Sequence, residues 1–331
     1  MCQQAEYDYR VSVAPMMKRT DRHFRYLIRL LSQKTFLYSE MVTTGAVIHG
    51  PKDRLLGFNP VEGPIALQLG GDDPSDLAEA AHIAEGFGYD EVNLNVGCPS
   101  ERVQNGSFGA CLMAQPAKVA KAVEAMKTRI KIPVTVKHRI GVDEMESYGA
   151  FKEFVDTVAA AGADRFSVHA RKAWLKGLNP KQNRTIPPLK YEFVYRLKEE
   201  CPSLFVEING GISNWDEAEV HLREVDAVML GRAAYDNPFL FAQADSRFYP
   251  GAVDPIKNRR ELVERMIPYI EDWIGKGGRA HHVTRHMLQI FAGCPRGKLW
   301  RRRLNDIGRL DLGTDALLKA LGEVTQSPLA A

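Results

Sequence analysis

The sequence holds no apolar run approaching the roughly 20 residues that a membrane-crossing helix needs. It has no CxxC pair, so the spacing of a structural zinc site is missing and no metal is expected. Its five cysteines (Cys2, Cys98, Cys111, Cys201 and Cys294) are odd in number and widely spaced. A disulfide framework is not expected in a chain this long. There is no internal repeat and no low-complexity tract. Residues 1–9 are polar and lack the apolar core of a signal peptide, so a cytoplasmic location is expected. No GxGxxG follows the first strand-like run, where a dinucleotide-binding doubly wound sheet would carry one.

What remains is an ordinary globular composition, 45% hydrophobic and 26% charged. The 331 residues suit one large domain plus a small one. The net charge of +3 is unevenly spread. Residues 1–244 carry 29 Lys and Arg against 31 Asp and Glu, whereas residues 245–331 carry 15 against 10. A basic C-terminal end suits an anionic partner such as nucleic acid, or is simply a solvated helical surface.

Eight short β-rich runs recur, at residues 11–14, 37–40, 65–69, 92–96, 134–137, 166–169, 205–208 and 227–230. Helical patterns at residues 21–31, 74–86, 116–130, 147–161, 191–200 and 215–222 alternate with them. Strands alternating with helices predict βαβ units and a parallel sheet, and eight units in about 240 residues predict an α/β fold, a TIM (β/α)8 barrel. The strand signals stop after Leu240. A linker is expected at residues 249–255, then helices at 259–274, 281–290, 298–307 and 315–324. The expected domains are a barrel at 1–244 and a small C-terminal helical bundle at 245–331.

Barrel enzymes place their chemistry at the C-terminal ends of the strands. Here those ends read Ala14-Pro15-Met16, Gln68, Asn93-Leu94-Asn95, Lys137-His138-Arg139, His169-Ala170-Arg171, Asn209-Gly210-Gly211 and Gly231-Arg232. Together they describe a polar, cationic cup above an apolar barrel. The loops after the seventh and eighth strands are the usual place for a phosphate, with glycines for close approach and Arg232 for charge. The alternative for Gly210-Gly211 is a tight turn. Lys137 offers a fixed ammonium to an anionic ring such as a reduced flavin, or snorkels to solvent. His169 and Gln68 could hydrogen-bond such a ring, or be a satisfied core histidine and a strand-end cap. Cys98, in Gly97-Cys98-Pro99-Ser100, sits in a stiff loop where a thiol could give a proton to a carbon. An inert buried cysteine is the alternative.

The run Val96-Gly97-Cys98-Pro99-Ser100, continuing through Gln104-Asn105-Gly106 to Gly109-Ala110, resembles the signature loop of tRNA-dihydrouridine synthases. The strand-end motifs resemble that family's in order, along the whole chain. Residues 38–49 and 173–189, with Asn183-Arg184-Thr185-Ile186-Pro187-Pro188-Leu189, and Trp300-Arg301-Arg302 resemble its A subfamily. The resemblance implies FMN bound through Ala14, Pro15, Met16, Gln68, Lys137, His169, Asn209, Gly210, Gly211, Gly231 and Arg232. It implies NADPH, or NADH, as reductant. Hydride would pass to C6 of a uracil, Cys98 would protonate C5, and Asn95 would help hold the base. The A subfamily acts at uridines 20 and 20a of the tRNA D-loop. His138 departs from the family pattern, in which a small polar residue is expected; alternation turns it away from the ring. The tRNA backbone would be gripped by Lys298, Arg301, Arg302 and Arg303, with Lys181 and Arg184 at the cup's rim. The alternative for the arginine triplet is a solvated helix face. No protein partner is required. The rival functions are a flavin barrel acting on a free pyrimidine and an RNA-binding protein with a vestigial barrel.

Overall fold

The computed structural model describes residues 9–104 and 106–325. Cys2 and Asn105 lie outside the described residues. Eight parallel strands close a barrel in chain order: β1 (Val11–Val13), β2 (Phe36–Thr43), β3 (Ile65–Gly70), β4 (Glu91–Val96), β5 (Val134–Arg139), β6 (Arg165–His169), β7 (Phe205–Asn209) and β8 (Ala227–Leu230). β8 pairs back onto β1, with Val13 opposite Leu230. The expected (β/α)8 architecture is therefore present, and each predicted run falls on its strand.

The expected apolar interior is not what the barrel contains. Strand side chains alternate faces, and it is the outward set that is apolar. Val92, Leu94 and Val96 of β4, and Val134 and Val136 of β5, are fully buried. The inward set is polar. Glu207 of β7 receives hydrogen bonds from Ser12 of β1, at 2.5 Å, and from Ser167 of β6. Glu91 of β4 pairs with Arg165 of β6 and accepts from the Thr135 hydroxyl of β5. These groups are enclosed, so each needs a partner, and the interior is a hydrogen-bonded network. The apolar runs seen in sequence were mostly the helix-facing half of each strand.

The helices begin where capping chemistry starts them. Asp73, Ser147 and Asn214 each accept a backbone N–H from the first turn of the helix that follows: Pro74–Gly86, Tyr148–Ala160 and Trp215–His221.

The chain groups into two compact units. One comprises residues 10–17 and 36–231 and contains the barrel. The other takes in residues 18–35 and 232–325 among those described. The expected helical segment 245–331 falls in the second unit, which also includes the helix Arg22–Leu31 and residues 232–244. Asp245 ties this unit together, accepting from Ser32 Oγ at 2.5 Å and from Gln33 N at 2.7 Å. The stretch 249–255, expected as a linker, lies inside this unit: Ser246 N and Oγ both donate to Asp254, at 3.0 and 2.6 Å.

The tail helices are Arg259–Gly275, Ala280–Thr284, Gly297–Leu310 and Thr314–Thr325. The helix expected over 281–290 stops at Thr284. Beyond it the backbone tightens to three-residue turns, and the buried Trp300 indole takes the Met287 carbonyl at 2.8 Å.

Candidate active site

Strand register alone gathers the predicted residues. Gln68 lies opposite Asn93, Asn95 opposite Lys137, Arg139 opposite His169, and His169 opposite Asn209. Ala14 follows β1, where its amide donates to Leu230 O at 2.8 Å, and it lies beside Gly231. Cys98 sits on the loop just past β4. The barrel thus brings Ala14, Gln68, Asn95, Cys98, Lys137, His169, Asn209, Gly210, Gly211 and Gly231 to its C-terminal rim.

The Cys98 loop is braced by three residues. Asn95 Oδ1 accepts from Gly97 N at 3.2 Å and from Cys98 N at 3.0 Å. Arg139 Nε donates to Gly97 O at 2.8 Å, and its Nη1 reaches Lys172 O and Asn183 O in the loop after β6. Ala110 N holds the Cys98 carbonyl at 2.9 Å. Cys98 is half-buried, and its thiol donates to Ser100 Oγ at 3.4 Å. A cysteine on a loop held this firmly at the rim can present its thiol proton to a molecule in the cup.

Lys137 Nζ donates to Asn209 Oδ1 at 3.0 Å, and Asn209 Nδ2 donates to Met229 O at 2.7 Å. Burial lowers the Lys137 pKa to about 8; neighbouring Arg139 adds to the shift, while Glu207 opposes it. Burial also lowers Arg139, to about 10. It holds His169 well below the ordinary histidine value, helped by Arg139 and Lys137, so that the imidazole is neutral at physiological pH. His138 faces the other way. It is buried against Phe151, Phe154 and Phe166, as alternation requires, with its pKa lowered to about 4 by burial.

Gly210 and Gly211 both have positive φ, 114° and 81°. A Cβ on Gly210 would fall 2.6 Å from His169 Cδ2, and one on Gly211 2.6 Å from Tyr191 Oη. Only glycine fits both positions. Pro15 and Met16 are half-buried. Arg232 is exposed and opens the helix Arg232–Asp236, which groups with the helical unit.

Lys181 and Arg184 are exposed in the loop after β6, with Arg184 ending the short turn Gln182–Arg184. That loop is built around fully buried Asn183, whose amide bonds Trp174 N and O. On the helix Gly297–Leu310, Trp300, Leu304 and Ile307 are buried, so Lys298 and Arg302 are exposed and Arg301 is half-exposed. Arg303 differs: its guanidinium is bound to Glu323, with Nε at 2.7 Å.

Three residues bonded into this arrangement escaped the sequence reading. Arg139 stood out only as part of the strand end Lys137-His138-Arg139, and its brace depends on carbonyls from two other loops. Thr135 and Glu91 lie below the strand ends, in the polar interior that the apolar runs concealed. The inward alternation of Glu91, Asn93 and Asn95 was the available signal.

The fold and the cup define a TIM-barrel enzyme with its chemistry at the C-terminal rim. Residues 12–324 match the model of the family described as "Dihydrouridine synthase (Dus)". The chain is 55% identical over 318 residues to the "tRNA-dihydrouridine(20/20a) synthase" of Synechocystis sp., covering 96% of this chain and 95% of that one. It is 54% identical to the protein of the same name from Shewanella oneidensis, covering 90% and 89%. Among solved structures, morphinone reductase with tetrahydroNAD shares the fold at a TM-score of 0.51 and 16% identity, over 74% of this chain and 87% of that one. A 2-naphthoyl-CoA reductase complex does so at 0.52 and 10%, over 72% and 50%. The chain belongs to the dihydrouridine synthase family, and so to the oxidoreductases.

Proposed function

We propose that this protein is a flavin-dependent tRNA-dihydrouridine synthase, reducing uridines 20 and 20a of the D-loop to 5,6-dihydrouridine. The carrying observation is half-buried Cys98, on a loop whose backbone Asn95 and Arg139 fix at the rim that also holds Lys137. The relatives named for positions 20 and 20a support the choice of substrate.

The residues present fit an FMN. Gly210 and Gly211 both hold positive φ, the glycine-only turn that a phosphate-binding backbone loop uses. Gly231 and Arg232 would complete it, and Ala14, Pro15, Met16 and Gln68 would line the ring's place. Neutral His169 would donate or accept a hydrogen bond without adding charge. Bound there, FMN supplies hydride for uracil C6, drawn from NADPH or NADH. Lys137 offers an ammonium to the anionic side of that ring. Cys98 gives its Sγ proton to C5, the general-acid half of the reduction. Asn95 orients the base beside it.

A uridine in folded tRNA must leave its stack to reach such a cup. Lys181 and Arg184 at the rim, and Lys298, Arg301 and Arg302 on the tail helix, would hold the RNA backbone while shape sets the register. A tRNA substrate fits a cytoplasmic location. The test is direct. Purified protein is supplied with FMN, NADPH and unmodified tRNA, and positions 20 and 20a are read for dihydrouridine. Absence of product at both positions overturns the reading.

A further inference from the structure

A single file of hydrogen bonds runs from the Cys98 loop down into the barrel. Asn95 Oδ1 takes the two loop N–H groups, and Asn95 Nδ2 donates to Gln68 Oε1 at 2.9 Å. Gln68 Nε2 donates to Asn93 Oδ1 at 2.8 Å, and Asn93 Nδ2 donates to Thr135 Oγ1 at 2.8 Å. The Thr135 hydroxyl donates to Glu91 Oε1. Arg165 pairs with the other Glu91 oxygen.

The direction of this file is dictated by chemistry. A carboxylate only accepts, and a hydroxyl has one proton to give. Thr135 spends that proton on Glu91, so it can only accept from Asn93. The Asn93 carbonyl must then face Gln68, the Gln68 carbonyl must face Asn95, and the Asn95 carbonyl is left for the loop. At the other end two backbone donors demand that same carbonyl. An acceptor at the floor and donors at the roof therefore fix three amides that could each otherwise turn over with little steric change. Each bond also polarises the next. Gln68, Asn93 and Asn95 are all at least nine-tenths buried, so no bulk water competes for these bonds.

We infer that Glu91, acting through Thr135, Asn93 and Gln68, is a positioning residue for Cys98, although it lies a full strand length below the rim. The functional consequence rests on the reading of Cys98 as the acid. The arrangement itself does not.

The test uses the full-length holoenzyme with Thr135→Val, which cuts the file while leaving the Glu91–Arg165 pair intact, and Thr135→Ser, which keeps the hydroxyl. Two readouts are taken. One is hydrogen exchange of the Gly97 and Cys98 amides against the barrel strands. The other is the rate of dihydrouridine formation. In Thr135→Val, exchange should rise at residues 97 and 98 and not across the strands. The rate should fall about tenfold, the scale of one hydrogen bond in a barrier. Thr135→Ser should restore both. Unchanged protection at 97 and 98 in Thr135→Val overturns the inference, as does equal loss in Thr135→Ser. If wild type makes no dihydrouridine, the proposed function fails, while the exchange arm still decides the file.

Discussion

At the scale of single residues, two side chains carry separable tasks. If Cys98 serves only proton delivery, as proposed, Cys98→Ala should leave NADPH-driven flavin reduction intact and lower dihydrouridine formation roughly 100-fold or more. Stopped-flow absorbance and tRNA analysis read the two halves separately, and equal product yields would remove Cys98 from the chemistry. Lys137 should show its task through pH. Folding lowers its pKa from the ordinary 10.5 to about 8. A buried ammonium is thus a cost to the fold below about pH 8, relieved as pH rises toward 10.5. Lys137→Met should raise the melting temperature of the flavin-free protein at pH 7 and flatten its rise between pH 8 and 10. The same change should weaken flavin binding about tenfold or more, the scale of a charged hydrogen bond. A variant that keeps the wild-type pH profile would show that Lys137 is not the group titrating. The rim positions of Cys98 and Lys137 were legible in sequence, because small, stiff neighbours mark one and a strand end marks the other. Arg139 was not, since its partners Gly97, Lys172 and Asn183 become neighbours only when three loops converge.

At the scale of elements, β5 shows how much periodicity can tell and where it stops. Val134, Val136 and His138 face the helices, while Thr135, Lys137 and Arg139 face the barrel axis. Alternation foretold the outward turn of His138. Its task is packing: it is fully buried, Nδ1 bonds the Arg139 carbonyl at 2.7 Å, and Nε2 has no hydrogen-bond partner among the described residues. Burial lowers its pKa to about 4. The unfolded chain therefore binds a proton below about 6.5 that the fold refuses until about 4, and stability is lost as pH falls across that window. The full loss is roughly 3 kcal/mol. His138→Leu should fold with a stability within about 1 kcal/mol of wild type at pH 7, because the bond it loses is offset by removal of the unpartnered nitrogen. It should lose most of the extra acid sensitivity between pH 6.5 and 4 in urea titrations. Persistence of that sensitivity would assign it to another group. The strand ends at Glu91 and Arg165 were harder to read, because an inward charge at a strand's start breaks the apolar run that announces it. The helix expected over 281–290 failed for a related reason. Its apolar spacing is real, with Met287 and Ile290 fully buried, but spacing cannot show that the backbone will tighten to three-residue turns at His286 and Met287.

At the scale of the whole molecule, the charge bias read from composition resolves into particular side chains. The grouping of residues 18–35 with the tail was not legible, because it rests on contacts such as His286 Nε2 to Asp21, which are 265 residues apart. That grouping decides how RNA docking should be tested. Deleting residues 245–331 would strip Ser32 and Gln33 of Asp245 and Asp21 of His286, so loss of binding after truncation would report unfolding. Point substitutions on the helix Gly297–Leu310 avoid this. Its buried side is Trp300, Leu304 and Ile307, and the fold does not need Arg301 or Arg302 for an ion pair among the described residues. If these two neutralise phosphates, Arg301→Ala with Arg302→Ala should weaken tRNA binding and make the salt dependence of log K shallower by about 1 to 2. The melting temperature should stay near wild type, since surface changes away from packed or paired groups cost little. Arg303→Ala is the control on the same helix. Its charge is already met by Glu323, so it should leave the salt slope almost unchanged. Binding measured across a salt series separates the outcomes: equal slopes for all three proteins would mean that this helix does not touch the RNA, and a slope lost only with Arg303 would place the contact on the wrong arginine.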